Sequence, residues 1–467
     1  VVSTLPGYGP VDGLYSGYLN YQLDGRDVST HYLFTKQAKD SPPSDKLIFW
    51  SNGGPGASSF FGFMTEVGPF TVNDDSLNTD DYDRTGVPTV FDNSNSWSNL
   101  GDLLIFEAPA PVGFSYCGDD PKADGFSCGD WTDELASENN LLALQAFYTK
   151  FPELKSKELY LSGESYAGVY IPTMARSILE EDASINLRGF AVGDACTGTE
   201  VLCGSDGDFG PWWDLTFMYG HGQFSTKLYD EIISECTIEG LKHPKAAGGL
   251  SDDCNSLLDK MDEQIGGYYE YALYDDCTYD NGLLQLQHTL WRKNAVGGAL
   301  NDYTCGSGEA MEAYAASSAV RDAFHVPVDS NFFSGDNGDG FNYTLTEKNL
   351  MPFYQDVAVG KYADQNIKVM VYNGDTDPGI NSFVAQNWTS SLGFEEVESW
   401  RPWTTDSCQR MAGYVTRYEG NFDFVTVRGA GHMVPTYKPE EAFEMFSAWI
   451  TGEGFKVFDP SCEAPDL

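Results

Sequence analysis

Six short segments of this chain are apolar almost without interruption: residues 46–51, 102–108, 158–162, 187–192, 367–372 and 422–427. A strand with one wet face alternates apolar and polar residues, whereas an unbroken apolar run suits a strand buried on both faces. Each run ends in a Gly-rich or polar turn, and stretches with helical periodicity lie between them. Residues 132–151 place Leu135, Leu142, Ala143, Ala146 and Phe147 at helical spacing, and residues 171–179, 383–392 and 439–450 read the same way. Buried strands alternating with helices predict a doubly wound, mostly parallel α/β sheet with helices on both sides. Near the start, residues 17–23 and 29–34 flank Asp24-Gly25 and predict a hairpin.

The alternation breaks between about residues 195 and 308. That stretch holds Cys196, Cys203, Cys236, Cys254, Cys277 and Cys305, and its periodicity is helical over residues 226–234 and 256–271. It reads as a disulfide-stapled helical cap inserted into the core. The expected organisation is a first core part over 1–194, a cap over 195–317 and a second core part over 318–467. The length of 467 residues agrees with a domain carrying an insertion. Trp212, Trp213, Tyr268, Tyr269 and Tyr271 lie in the cap, where most are expected to be core.

Charge narrows the function. Lys and Arg number 27 against 70 Asp and Glu, a formal net charge of −43. A nucleic-acid partner needs a basic surface, and an anionic membrane would repel this one. Hydrophobic residues at 41% supply a large core, so the acidity does not signal disorder. No run of 18 apolar residues exists to form a membrane span. Ten cysteines, none in a CxxC spacing, point to disulfides and the secretory route, not to zinc. The sequons at Asn342 and Asn387 agree with secretion. The start Val1-Val2-Ser3 reads as a processed N-terminus. Residues 205–208 and 336–340 resemble pieces of calcium loops but lack the full frame, so no metal and no cofactor is expected.

The chemistry gathers at the ends of the predicted strands. Gly163-Glu164-Ser165-Tyr166-Ala167-Gly168 follows one strand and precedes a helix, the setting of a nucleophile elbow. Ala167 replaces the last glycine of the usual pattern and is still small. An acid from Asn373-Gly374-Asp375-Thr376-Asp377 follows a second strand, and Gly429-Ala430-Gly431-His432 follows a third. Ser, acid and His thus come in the order an α/β-hydrolase fold requires. His432 would take the proton of Ser165, and the acid, taken as Asp377, would hold the imidazole tautomer. The oxyanion needs two fixed amides. One is expected from Tyr166, and the other from Asn52-Gly53-Gly54-Pro55-Gly56 after the strand 46–51.

These residues resemble the serine carboxypeptidase family. The resemblance is carried by Ser51-Asn52-Gly53-Gly54-Pro55-Gly56, Glu66-Val67-Gly68-Pro69, the Ser165 turn, the Asp377 turn and Gly431-His432-Met433-Val434-Pro435. It implies an acid carboxypeptidase of the α/β-hydrolase fold, secreted or held in a vacuole or lysosome. It implies Asp377, and not Asp375, as the acid. It further implies Gly54 and Tyr166 as oxyanion donors, with Asn52, Gly53, Glu66 and Glu164 holding the carboxylate of a peptide or protein C-terminus. Two close carboxyl groups share a proton, so a protonated one can donate to that carboxylate at acid pH.

The sequence departs from the family pattern at Ala57, where a cysteine is usual, so family disulfide pairings do not transfer. Pro378-Gly379-Ile380-Asn381 lacks the cysteine of some relatives, which predicts weak sensitivity to thiol reagents. Rival readings on the same scaffold are an acyltransferase, a hydroxynitrile lyase, or a protective partner with an incidental hydrolase site. A monomer or a homodimer is expected.

Overall fold

The structure is a computed structural model that describes residues 1–122, 124–203, 210–244, 248–277, 303–327, 329–335, 340–407 and 411–462. Twelve strands join in one sheet. Eleven lie along one path: β1 (Val2–Leu5), β2 (Gly9–Leu23), β3 (Arg26–Thr35), β4 (Lys46–Ser51), β5 (Asp102–Phe106), β6 (Glu158–Glu164), β7 (Leu187–Gly193), β8 (Lys368–Gly374), β9 (Glu396–Trp403), β10 (Gly413–Tyr418) and β11 (Phe422–Val427). The short strand Tyr116–Cys117 pairs with β3 off this path. The spatial order is β1-β2-β3-β5-β4-β6-β7-β8-β11-β10-β9. The six strands from β5 to β11 in this order are parallel to one another. Antiparallel strands extend both edges.

All six apolar runs form the parallel block, and nearly every residue in them is buried. Successive side chains divide between two cores. Leu47 and Phe49 of β4 join one, with Leu144 and Phe147 of the helix Asp133–Lys150. Ile48 and Trp50 join the other, with Phe446 of the helix Pro439–Thr451 and Phe60 of the helix Ser59–Thr65. Each such buried side chain contributes about 1.5–3 kcal/mol, so the sheet is held from both faces. This is the α/β-hydrolase architecture expected from the sequence.

Between β7 and β8 the helices Pro211–Gly220, Thr226–Cys236 and Asp252–Ile265 pack around Leu215, Phe217, Ile232 and Met261. Disulfides Cys196–Cys203, Cys236–Cys254 and Cys277–Cys305 close this stretch, and Cys117–Cys128 lies before it. Cys462 is disulfide-bonded as well. Residues 205–208 and 336–339 and Cys408 lie outside the described residues.

One predicted helix is displaced. The expected span 256–271 is Asp252–Ile265, started by Ser251 accepting from the Cys254 amide and ended at Gly266, whose φ is 75°. Tyr268, Tyr269 and Tyr271 therefore fall beyond the helix. The expectation that most cap aromatics are core holds only in part: Trp212, Trp213 and Tyr269 are partly buried and pack against the apolar clusters, Tyr271 is partly buried, and Tyr268 is exposed. A run of aromatics at mixed spacing reads as core only while it stays helical, and two successive glycines end the helix before it.

Candidate active site

The parallel strands deliver their loops to one edge of the sheet. Ser165 sits between β6 and the helix Ala167–Glu181 with φ of 62°, a left-handed conformation that costs a non-glycine residue about 1–2 kcal/mol. Hydrogen bonds hold the turn in place. The Ser165 amide donates to the Gly193 carbonyl at 2.9 Å, and its carbonyl accepts from Gly168 and Cys196 at 2.9 and 3.0 Å. Ala167 fits here because residue 163 is glycine. A Cβ at Gly163 would lie 2.7 Å from the Ala167 Cβ and 2.4 Å from the Ser51 carbonyl.

His432 follows β11 and Asp377 follows β8. His432 Nδ1 and Asp377 Oδ2 are 2.7 Å apart and both residues are buried. Asp377 Oδ1 accepts from the Gly379 and Ile380 amides at 2.8 and 3.3 Å. Asp375, the other acid of this turn, instead accepts from the Gly429 amide at 2.6 Å. Residues 271–273, which follow the helix Asp252–Ile265, reach both loops. His432 donates its amide to the Tyr271 carbonyl at 2.7 Å, and Leu273 donates to Thr376 at 2.9 Å. The Tyr271 ring lies 5.1 Å from the imidazole. Sequence reading missed this contact, since nothing local at residues 271–273 marks it.

The loop after β4 lies against the elbow. A Cβ at Gly53 would sit 2.3 Å from the Tyr166 nitrogen and 2.9 Å from the Glu164 carbonyl. The amides of Gly53, Gly54 and Tyr166 donate to no acceptor among the described residues. Amides without an acceptor are rare where the backbone is buried, as at Gly53 and Tyr166, and with the partly buried Gly54 they make a cradle for an anionic oxygen. Gly53→Ala is expected to lower kcat by roughly 10²–10³, because relieving the clash moves a donor away from the oxyanion. Steady-state kinetics on a folded variant checks this, and a loss under tenfold would contradict it.

Glu66 and Glu164 meet across Asn52. Asn52 Nδ2 donates to Glu66 Oε1 at 2.9 Å and to Glu164 Oε1 at 3.0 Å. The amide is oriented by its own oxygen, which accepts from Trp50 Nε1 and the Gly62 amide at 2.9 and 3.2 Å. Both acids are buried, at 2% and 3% exposure. Burial pushes Glu66 up to about 7, against the lowering bonds from Asn52 and Glu164. Burial, then the charge of Glu66 and a hydrogen bond between the two carboxyls, holds Glu164 well above the usual carboxylate range. Neither Oε2 accepts a hydrogen bond from another kind of group. The pair therefore shares protons and aims unfilled oxygens beside the elbow.

Two supports were not visible in the sequence. Asp133 Oδ1 accepts from the Tyr166 and Tyr343 hydroxyls at 2.6 and 2.8 Å, which pins the side chain of the residue after Ser165. Glu107 is fully buried and accepts from the Phe60 amide at 2.6 Å and from Ser58 Oγ at 2.9 Å, at the start of the helix that ends at Glu66. Burial pushes Glu107 up to about 7. The native state then binds more protons than the unfolded chain between the ordinary value of 4.5 and about 7, so stability falls as pH rises through that window. Glu107→Gln removes one such group. It is expected to reduce the loss of unfolding free energy between pH 4.5 and 7.5 by roughly 3 kcal/mol, at about 1.4 kcal/mol per unit. Denaturant melts of both proteins across that range measure it; parallel curves would refute it.

The serine carboxypeptidase family model matches residues 6–452. The chain belongs to the serine carboxypeptidase family. A serine carboxypeptidase of Caenorhabditis elegans is 32% identical, covering 98% of this chain and 94% of that protein. The lysosomal protective protein of Mus musculus is 30% identical over 97% of this chain and 94% of its own length. The crystal structure of a prohormone-processing carboxypeptidase from Saccharomyces cerevisiae has a TM-score of 0.66 at 21% identity, covering 94% of this chain and 91% of that one. That likeness shows the fold. The protein is thus a serine-type carboxypeptidase by family, and no described helix is long and apolar enough to cross a membrane.

Proposed function

We propose that this serine carboxypeptidase hydrolyses the C-terminal peptide bond of peptides and proteins at acidic pH through an acyl-enzyme. Ser165 attacks the scissile carbonyl while His432 takes its proton, and Asp377 orients the imidazole and stabilises the imidazolium. The Gly54 and Tyr166 amides hold the oxyanion. His432 then protonates the leaving amine, and water hydrolyses the acyl-enzyme by the same route in reverse.

The observation that carries the reading is the buried Glu66–Asn52–Glu164 cluster beside the elbow. A Ser-His-Asp constellation serves many hydrolases, but a carboxyl pair that retains protons serves a carboxylate. Asn52 and a protonated carboxyl would donate to the substrate's terminal carboxylate, together with the Gly53 amide. Neither an acyl acceptor alcohol nor a cyanohydrin needs such a site. Residues 195–317 form the cap over this edge of the sheet in this reading. Asn342 and Asn387, both exposed, carry the glycans. An acidic compartment of the secretory route fits the relationship to a lysosomal protein and the acid requirement of the pair.

The test is digestion of a mixed peptide library at pH about 4–5, where the pair is protonated, with mass spectrometry of the products. Stepwise loss of C-terminal residues is expected. Internal cleavage, or intact peptides with a folded enzyme, would overturn the reading.

A further inference from the structure

Behind His432 and Asp377 lies a third acid that the mechanism above does not use. Asp194 directly follows β7, with φ of 39°, and is fully buried. Its amide donates to the Tyr372 carbonyl at 2.8 Å, which ties it to the end of β8. Its carboxyl accepts from the Gly374 amide at 3.1 Å on both oxygens and from Asn373 Nδ2 at 3.1 Å. Its carboxyl lies within hydrogen-bonding reach of the Asp377 carboxyl. Two carboxyl groups hydrogen-bond each other only with a proton between them.

The surroundings decide which acid holds that proton. Asp377 already accepts from two amides, and its other oxygen faces His432 Nδ1, so its oxygens are engaged as acceptors. The titratable groups facing Asp194 are Asp377, Glu164 and Tyr372, each neutral or negative. Among the described residues no Lys or Arg pairs with Glu66, Glu164, Asp194 or Asp377, and His432 is the one basic partner of the set. Buried carboxylates without a counter-cation cost several kcal/mol each, and protonation avoids that cost. Burial first, and the neighbouring charge of Asp377 second, hold Asp194 well above the usual carboxylate range.

We propose that Asp194 is a positioning residue: it remains protonated and donates its O–H to the Asp377 carboxylate, holding that carboxylate in register with His432. The inference rests on Asp377 being the acid of the reaction. It has an electrostatic consequence as well. A neutral Asp194 adds no negative charge beside the imidazole. A second carboxylate there would stabilise the imidazolium and keep the base protonated at acid pH.

Three variants test this on an ester substrate that lacks a free C-terminal carboxylate, so that Glu66 and Glu164 do not intrude. Asp194→Asn supplies a neutral donor in the same place. Its kcat is expected within about threefold of the wild type, with the acid limb of kcat/KM within about 0.5 pH unit. Asp194→Leu removes the donor, and kcat is expected to fall at least about tenfold with KM within twofold. An acid limb moved further in Asp194→Asn would mean that Asp194 is charged in the wild type, and would overturn the proposal. So would a larger loss of kcat in that variant, or a folded Asp194→Leu enzyme that loses less. If Asp194→Leu does not fold, the acid limb and kcat of Asp194→Asn decide alone. Asp377→Asn separates the two readings: near-wild-type kcat there would refute Asp377 as the acid, whatever Asp194 does.

Discussion

Ser165→Ala is expected to lower kcat on a C-terminally free peptide by at least about 10⁴, or roughly 5.5 kcal/mol of activation free energy. Peptide affinity is expected to stay within about threefold, because the carboxylate cluster and the amide cradle remain. The loss is not total. In the proposed mechanism the amides of Gly54 and Tyr166 would still face the carbonyl and stabilise a water-derived oxyanion. His432→Ala is expected to cost about as much, and the double variant no more than either, since the residues act as a unit. Single-turnover kinetics with a fluorescent peptide, alongside equilibrium binding, separates the two quantities. Retention of more than about 1% of kcat in Ser165→Ala would remove that serine from the nucleophile's role.

The second large effect is in pH. For a peptide with a free C-terminus, kcat/KM is expected to fall at least about 30-fold between pH 5 and pH 9, mostly through KM. The sign follows from the direction of the shifts. Burial pushes Glu66 up to about 7 and holds Glu164 well above the usual carboxylate range, so both hold protons at acid pH and lose them as pH rises. Each proton lost removes a donor and adds a charge that repels the substrate carboxylate. A C-terminally amidated peptide has no such charge, and its profile is expected to fall less than about threefold over the same range. Glu66→Gln keeps a neutral donor at every pH and is expected to flatten the peptide profile. Equal profiles for the free and amidated peptides would end this account.

The parts legible in the sequence were those with a local signature. Runs such as Leu47-Ile48-Phe49-Trp50 can be little else than strands buried on both faces, and all six are parallel strands here. Ser165, Asp377 and His432 were readable because a glycine-rich or polar turn follows each strand. The edge strands β9 and β10 were not legible. Half of the residues from Glu396 to Trp403 are exposed, Glu396, Glu398 and Arg401 are charged and Pro402 interrupts the strand, as suits an edge, so it carries no apolar run. The cluster at Asn52 escaped local reading for another reason. Glu66 and Glu164 stand 98 positions apart in the chain, and only the helix Ser59–Thr65, fixed at its start by Glu107, brings them together. Glu66 came from family resemblance, not from its neighbours. Asp194 had no signature at all, since an acid after Gly193 looks like any turn residue.

The left-handed backbone at Ser165 has a bearing on how such a protein can change over time. The best residue for the turn is glycine, which relaxes the conformation, and the best residue for the chemistry is serine. Selection for catalysis is the force that keeps the two apart. A descendant retained only as a binding or protective partner would be released from it. Substitution at this one position would then be favoured by folding itself, and the chain could lose its nucleophile while gaining stability. The elbow is thus a place where loss of function is downhill, and a serine found there records continued use.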